Sequence, residues 1–182
     1  MNVVFLIIGL LVLVAAAVRL YIAGQGDAEF EFLVKERTQF AVSEETESYM
    51  ELTCRVPFVN KGSQDGTIMD AYPRTLLPYE QFDKLEAVGR LELEDAPRVD
   101  NYFEAVIIPK GTGQAVNVTL RLTDRKSMGL RSALDAMVGN RVDLPVDIVY
   151  QVVARSDWYI NKKRLVLTSE ELAAALAAKG GE

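Results

Sequence analysis

The stretch that decides the fold is Val142–Ala154, VDLPVDIVYQVVA. Val142, Leu144, Val146, Ile148, Tyr150, Val152 and Ala154 are apolar and even-numbered, and Asp143, Asp147 and Gln151 are odd-numbered. Side chains of a strand alternate between two faces, so this period of two predicts a long strand with the even set in a core and the three polar residues in water. A one-residue slip would bury both aspartates, which specifies the register strongly.

The same alternation recurs outward in both directions. Val116, Val118, Leu120 and Leu122 alternate with Asn117, Thr119, Arg121 and Thr123. Met50, Leu52, Cys54, Val56 and Phe58 alternate with Tyr49, Glu51, Thr53, Arg55 and Pro57. One face apolar and one mostly polar is the signature of an antiparallel sheet solvated on one side. Phe30, Phe32 and Val34 predict a long first strand over Glu29–Lys35. Asn60–Gly66, NKGSQDG, has turn chemistry, and Thr67–Leu76 reads as the returning strand. Gly89–Glu94, with Leu91 and Leu93 inward, and Tyr102–Ile108 add two strands around an Asp95–Asp100 turn. Trp158–Thr168 reads as a strand pair around Asn161-Lys162-Lys163 or as one bulged strand. Pro78–Glu86 fits either one helical turn or a loop.

Two helices interrupt this pattern. Ser127–Val138 sets Leu130, Ala133, Leu134, Met137 and Val138 on one stripe, with Ser127 as N-cap and Gly139 as stop. Thr168-Ser169-Glu170-Glu171 is a capping box opening Ser169–Lys179, where Leu172 and Leu176 share a face, Lys179 suits the C-terminal dipole end and Gly180-Gly181 ends the helix. The expected architecture is an all-β, immunoglobulin-like antiparallel β-sandwich over residues 28–168 with one or two short amphipathic helices. A short C-terminal helix and tail occupy 169–182. Val56–Gly62, VPFVNKG, resembles the strand-Asn-x-Gly hairpin of bacterial immunoglobulin-like surface domains. The amphipathic helix before the last strands is similar to one in late-embryogenesis sandwich domains of plant type. Both resemblances span a few residues, imply a sandwich and transfer no functional residue.

The N-terminus belongs to a different solvent. Residues 3–23, VVFLIIGLLVLVAAAVRLYIA, hold one charge, Arg19. Twenty-one residues at about 1.5 Å each match a hydrocarbon core of about 30 Å. Arg19 can snorkel to the headgroups, and Tyr21 falls at interface level. The expectation is a single-pass transmembrane anchor over 1–23, a signal-anchor rather than a cleaved signal, followed by a Gly24–Asp27 hinge. Ala15-Ala16-Ala17 would serve the competing cleavage reading, but the run is long and no Lys or Arg precedes it. Asp27, Glu29 and Glu31 follow without an early cation, which favours the domain on the non-cytoplasmic side.

Composition removes whole classes of chemistry. The 182 residues include no histidine and one cysteine. Histidine bases, Ser-His-Asp and Cys-His nucleophiles, histidine-bound metals and intrachain disulfides are all excluded. Beyond Arg19 the charge is 19 − 26 = −7, the wrong sign for a general nucleic-acid binder. Cys54 falls on the apolar side of its strand and reads as core. Glu44-Glu45-x-Glu47, Glu92-x-Glu94-Asp95, Asp65 and Asp100 lack the alternating spacing and closing ligand of a calcium loop. No cofactor and no catalysis are expected.

Two groups of side chains are candidates for partner or headgroup contact. Arg121, Arg125, Lys126 and Arg131, with Arg141 beyond them, form the basic stretch of the chain. Trp158 and Tyr159 next to Lys162, Lys163 and Arg164 form an aromatic-basic tip. The function expected is a non-catalytic binding, assembly or structural module of a membrane or cell-envelope complex, with a protein partner. The alternative is a carrier holding a lipid or other apolar ligand between the sandwich and an amphipathic helix.

Overall fold

Alternation turns into two antiparallel sheets. The computed structural model describes residues 2–80, 82–98 and 103–179. The expectations for Asp100, for Tyr102 as a strand start, for the Lys179 side chain and for Gly180-Gly181 lie outside the described residues. The elements run α1 (Asn2–Gly24), β1 (Phe30–Phe32), β2 (Ala41–Glu45), β3 (Tyr49–Asn60), β4 (Gly66–Thr75), β5 (Leu85–Leu93), β6 (Val106–Ile108), β7 (Gly113–Asp124), α2 (Leu130–Gly139), β8 (Leu144–Val153), β9 (Tyr159–Leu167) and α3 (Ser169–Lys179). One sheet has the order β1-β3-β7-β5, with β2 also on β3; the other is β6-β4-β8-β9. Every strand pair is antiparallel.

Both sheets feed one core. Met50, Leu52, Cys54, Val56 and Phe58 of β3 and Val116, Val118, Leu120 and Leu122 of β7 are buried with Leu144, Val146, Ile148, Tyr150 and Val152 of β8. Phe32 stacks on Phe58 at 5.1 Å and meets the Tyr150 ring at 4.8 Å, so three strands of two sheets share an aromatic contact. The Tyr150 hydroxyl donates to the Phe30 carbonyl at 3.2 Å, which satisfies its polar tip inside the core.

The strands give the domain two ends. β3, β6 and β8 finish, and β4, β7 and β9 begin, at the end where α1 joins. β7 takes eleven steps to the far end, roughly 37 Å at 3.4 Å per residue. There α2 buries Leu130, Ala133, Leu134 and Met137, and α3 buries Leu172 and Leu176. At the near end, α1 is long and apolar enough to cross a membrane, with mean hydropathy 2.9 and no buried residue in its most apolar window.

Several local details differ from the sequence reading, each for a physical reason. β1 is three residues long because Leu33 N–H donates to the Pro57 carbonyl and proline has no N–H to return. β2 escaped notice because AVSEE is mostly exposed and has no alternation. In Pro78–Glu86, Phe82 N–H bonds the Pro78 carbonyl in one turn, and Leu85 already opens β5. α2 starts at Leu130, not Ser127: Ser127 has φ +55°, and Asp124 accepts the Lys126 and Gly129 N–H groups that precede the helix. Gly139 stays helical, and Arg141 at φ +52° takes the left-handed position past the end. β9 is one unbroken strand, paired from Leu144↔Leu167 to Val152↔Tyr159. In α3, Glu171 N–H bonds Thr168 Oγ1 at 3.1 Å, but the Glu171 carboxylate turns elsewhere, so the capping box is half made.

The register of β8 is as read, with one correction. Leu144, Val146, Ile148, Tyr150 and Val152 are buried and Val142 is partly so, while Asp143 is exposed and Gln151 half-buried. Asp147 is on the outer face, yet it is only 3% exposed. Arg164 bonds it at 2.7 and 3.1 Å and Lys162 at 3.2 Å, and their stems cover it. Long cations on a neighbouring strand bury an acid that alternation alone assigns to water.

Candidate functional site

The expected hinge is where the near end is fixed. Asp27 accepts N–H bonds from Ala28, Arg155 and Ser156, and the Ser156 hydroxyl also donates to it. The Ser156 hydroxyl, followed by those amides, outweighs burial and holds the Asp27 carboxyl below its ordinary value. Arg155 Nη2 reaches the Ile22 carbonyl in the last turn of α1 at 2.6 Å. Ser63 Oγ and Gln64 Nε2 both donate to the Gln25 carbonyl, at 2.7 and 3.1 Å. Residues 24–27 are thus bonded to the β3–β4 and β8–β9 loops. Asn60 is fully buried and organises the first of these loops: its Oδ1 accepts from Glu29 and Gly62 N–H, and its Nδ2 donates to the Gln64 and Ile108 carbonyls. The hairpin motif Asn60-Lys61-Gly62 therefore has a structural role.

The basic stretch lies toward the far end, whereas the aromatic-basic group starts at the near end and runs to the middle of β9. Arg121 is on the outer face of β7 near its far end, bonded to Glu51 Oε1 at 2.9 and 2.6 Å and 4.2 Å from the Tyr49 ring. Arg125 pairs with Glu86 at 3.3 Å and lies over Tyr79. Lys126 pairs with Asp83 at 2.7 Å, a bond that holds the Asp83 carboxyl low and the lysine high. Arg131 faces Asp135 one helical turn on, at 3.6 Å. Arg121, Arg125 and Lys126 meet acids that sequence spacing could not reveal, because those acids come from β3, β5 and the loop before it; only the Asp135 partner of Arg131, four residues on in α2, is visible in the spacing.

Trp158 and Tyr159 mark the entry to β9 at the near end, and Lys162, Lys163 and Arg164 follow along the middle of the strand. Lys162 and Arg164 hold Asp147, whose carboxyl is lowered chiefly by the Arg164 bond. Lys163 points the other way, to Glu31 at 3.7 Å, and Lys61 pairs with the same carboxylate. Tyr159 is half-buried, and Trp158 is exposed.

Sequence reasoning missed a third place, at the far end. Among the described residues no strand pairs with the open side of β2, and beside it α3 presents a ledge of alanines. Between them runs a groove of about 600 Å³ lined by Phe40, Ala41, Val42, Ala174, Ala175 and Ala178, with Gln39 and Glu171 at its polar side. Glu171 anchors one wall. Its carboxylate takes Arg37 Nη1 and Nη2 and the Phe40 N–H, all at 2.7 Å. Burial pushes this carboxyl up, but the bonds from Arg37 and Phe40 outweigh it and leave it below its usual value. Arg37 also donates to the Val166 and Thr38 carbonyls, so one ion pair ties the β1–β2 connection to β9 and α3. The only signal in sequence was the Ala-rich run EELAAALAAK.

Cys54 is 1% exposed, and burial pushes its thiol up to about 12. A thiol held protonated is a poor nucleophile. Among the described residues no three Cys, Asp or Glu side chains converge as a metal ion would need.

No family model and no curated protein sequence matches the chain. Among solved structures, the GAE domain of yeast GGA1 aligns at 8% identity and TM-score 0.36, over 76% of this chain and 98% of that one. The GAE domain of GGA2p from Saccharomyces cerevisiae aligns at 8% and 0.35, over 77% and 96%. A protein from Archaeoglobus fulgidus aligns at 12% and 0.34, over 76% and 93%. Likeness at this level carries no argument about kinship or role. The chain is a mostly β protein of antiparallel sheets with one N-terminal helix apolar enough to be a membrane span or a signal sequence.

Proposed function

We propose that this chain is a single-pass membrane protein presenting an immunoglobulin-like β-sandwich that acts as a non-catalytic binding or assembly module in a membrane or cell-envelope complex. α1 is the retained signal-anchor, and the domain stands on the non-cytoplasmic side. The observation that carries the reading is the unpaired edge of β2 beside the groove under α3. An open edge offers main-chain hydrogen bonds to an added strand, and the groove offers apolar burial for its alternate side chains. The exposed Glu44 and Glu45 at the end of β2 and Glu47 in the turn after it favour a partner segment with a positive charge at one end. This edge is at the far end of the strands, turned away from the bilayer and free to meet a protein.

The carrier alternative draws on the same groove, which exceeds the ~300 Å³ that a small apolar ligand requires. The open side of the groove and the polar Gln39 and Glu171 favour a peptide over a lipid.

Blocking the groove tests this reading. Ala174 and Ala178 are exposed, so Ala174→Tyr and Ala178→Tyr fill it without touching the core. Partners copurified from gently solubilised native membranes are expected to be lost with both variants and retained with Arg131→Ala. Equal recovery with all three would overturn the assignment of the groove. Loss of bound lipid rather than protein would favour the carrier.

A further inference from the structure

The β6-β4-β8-β9 sheet leaves apolar side chains in water on its outer face, and all but Tyr72, farther along β4, gather at one end. Ile107 of β6 is 69% exposed and Ile160 of β9 is 61% exposed. The register places them together: Ile107 pairs with Thr67 and Thr67 with Val153, while Gln151 of β8 pairs with Ile160. Val153 is also exposed, as is Met69 at the bulge of β4 between Ile68 and Asp70. Trp158, 61% exposed, closes the row at the entry to β9. These are outward positions, since Ile68, Ile108, Tyr150 and Val152 point into the core. An apolar group of this kind on a small domain marks a contact surface.

The neighbour at this end is α1. Arg155, three residues before Trp158, bonds the Ile22 carbonyl, and Ser156 bonds Asp27. The loop that carries Trp158 is therefore fastened to the last turn of the apolar helix at Ile22, one residue past Tyr21 and three past Arg19. We infer that this surface is a second membrane contact, with Trp158, Ile107, Val153 and Ile160 resting in the interfacial layer of the same bilayer that α1 crosses. This rests on the reading of α1 as a retained span.

Tryptophan favours that layer because its ring is apolar and its N–H stays wet. The adjoining cations do not carry the contact: Lys162 and Arg164 are held by Asp147, and Lys61 and Lys163 by Glu31. Apolar insertion, rather than attraction to anionic lipid, is the driving force, so the contact is insensitive to salt and to headgroup charge. The domain is thereby held in one orientation, with the β2 edge directed away from the membrane.

Trp158 is the sole tryptophan of the chain, so its fluorescence reads this surface without a label. The full-length protein is reconstituted into phosphatidylcholine vesicles, and flotation confirms insertion. The expected result is a blue-shifted emission that shallow-brominated lipid quenches, that aqueous iodide barely touches and that added salt does not change. In the Ile107→Asp/Ile160→Asp variant the emission should shift red and become accessible to iodide, while flotation persists. Floating protein whose Trp158 is open to iodide and blind to brominated lipid would overturn the membrane contact and leave the anchor standing. Shielding from both quenchers would also overturn it, because a second protein copy would then be covering the patch. Failure to float would instead remove the anchor on which the inference rests.

Discussion

Removing the Glu171 carboxylate is the sharpest test of how the far end is held. The Arg37 and Glu171 side chains are 16% and 11% exposed, so the pair lies much nearer a buried ion pair than a surface one. Glu171→Ala deletes three bonds of 2.7 Å and leaves the guanidinium in place. Stripping one partner from a buried pair costs about 3–5 kcal/mol, against about 0–1 for an exposed one. Arg37 keeps the Val166 and Thr38 carbonyls, which softens the loss to about 2–3 kcal/mol. For a domain of this size that is a fall of about 5–10 °C in Tm. Because the folded carboxyl lies below its ordinary 4.5, the pair's contribution is complete above that value and fades as pH falls through the folded value. The gap between wild type and variant should therefore close in acid. Arg37→Met/Glu171→Leu, which removes both charges, should recover to within about 1 kcal/mol of wild type. The assay is thermal unfolding of the full-length protein in mild detergent, followed by the β signal in circular dichroism. A loss under about 0.5 kcal/mol at neutral pH, or one unchanged in acid, would refute the reasoning.

Three other outcomes follow from the same structure. In the same melts, Ile148→Ala should cost about 2–5 kcal/mol through lost burial and a cavity, while Asp147→Ala should cost about 1 kcal/mol, since the cations it frees are already in water. Cys54 should resist thiol reagents until the protein is denatured, Cys54→Val should melt within about 1.5 kcal/mol of wild type, and Cys54→Asp should not fold; labelling kinetics and expression of folded protein check this. Carbonate washing should leave the full-length protein in the membrane fraction and release a form lacking residues 1–23, whereas a mature N-terminus near Val18 would show cleavage.

Long alternation was the legible part of the sequence. β3, β7 and β8 are strands of ten or more residues that each carry four or more alternating apolar residues, and their inward residues are those the pattern selects. Short elements set by partners were not legible. β1 stops where Pro57 fails to return a bond, and β2 is a strand only because β3 is there to pair with it. The outward acids show the same limit. Asp147 and Glu51 follow the alternation perfectly and are still buried, because Arg164 and Arg121 cover them from neighbouring strands. Spacing along the chain identified cations as candidates but could not show that acids distant in sequence face nearly every one. The groove was invisible for a like reason: its walls are β2, with no pattern of its own, and alanines that read as helix filler.

The central claim is that the free edge of β2 receives a partner strand. A photo-crosslinking amino acid at Ser43, on that edge, tests it directly in native membranes. The account predicts one discrete adduct that disappears when Ala174→Tyr and Ala178→Tyr fill the groove, with none from the same probe at Arg131. No adduct at Ser43, or an adduct indifferent to the filled groove, would contradict it.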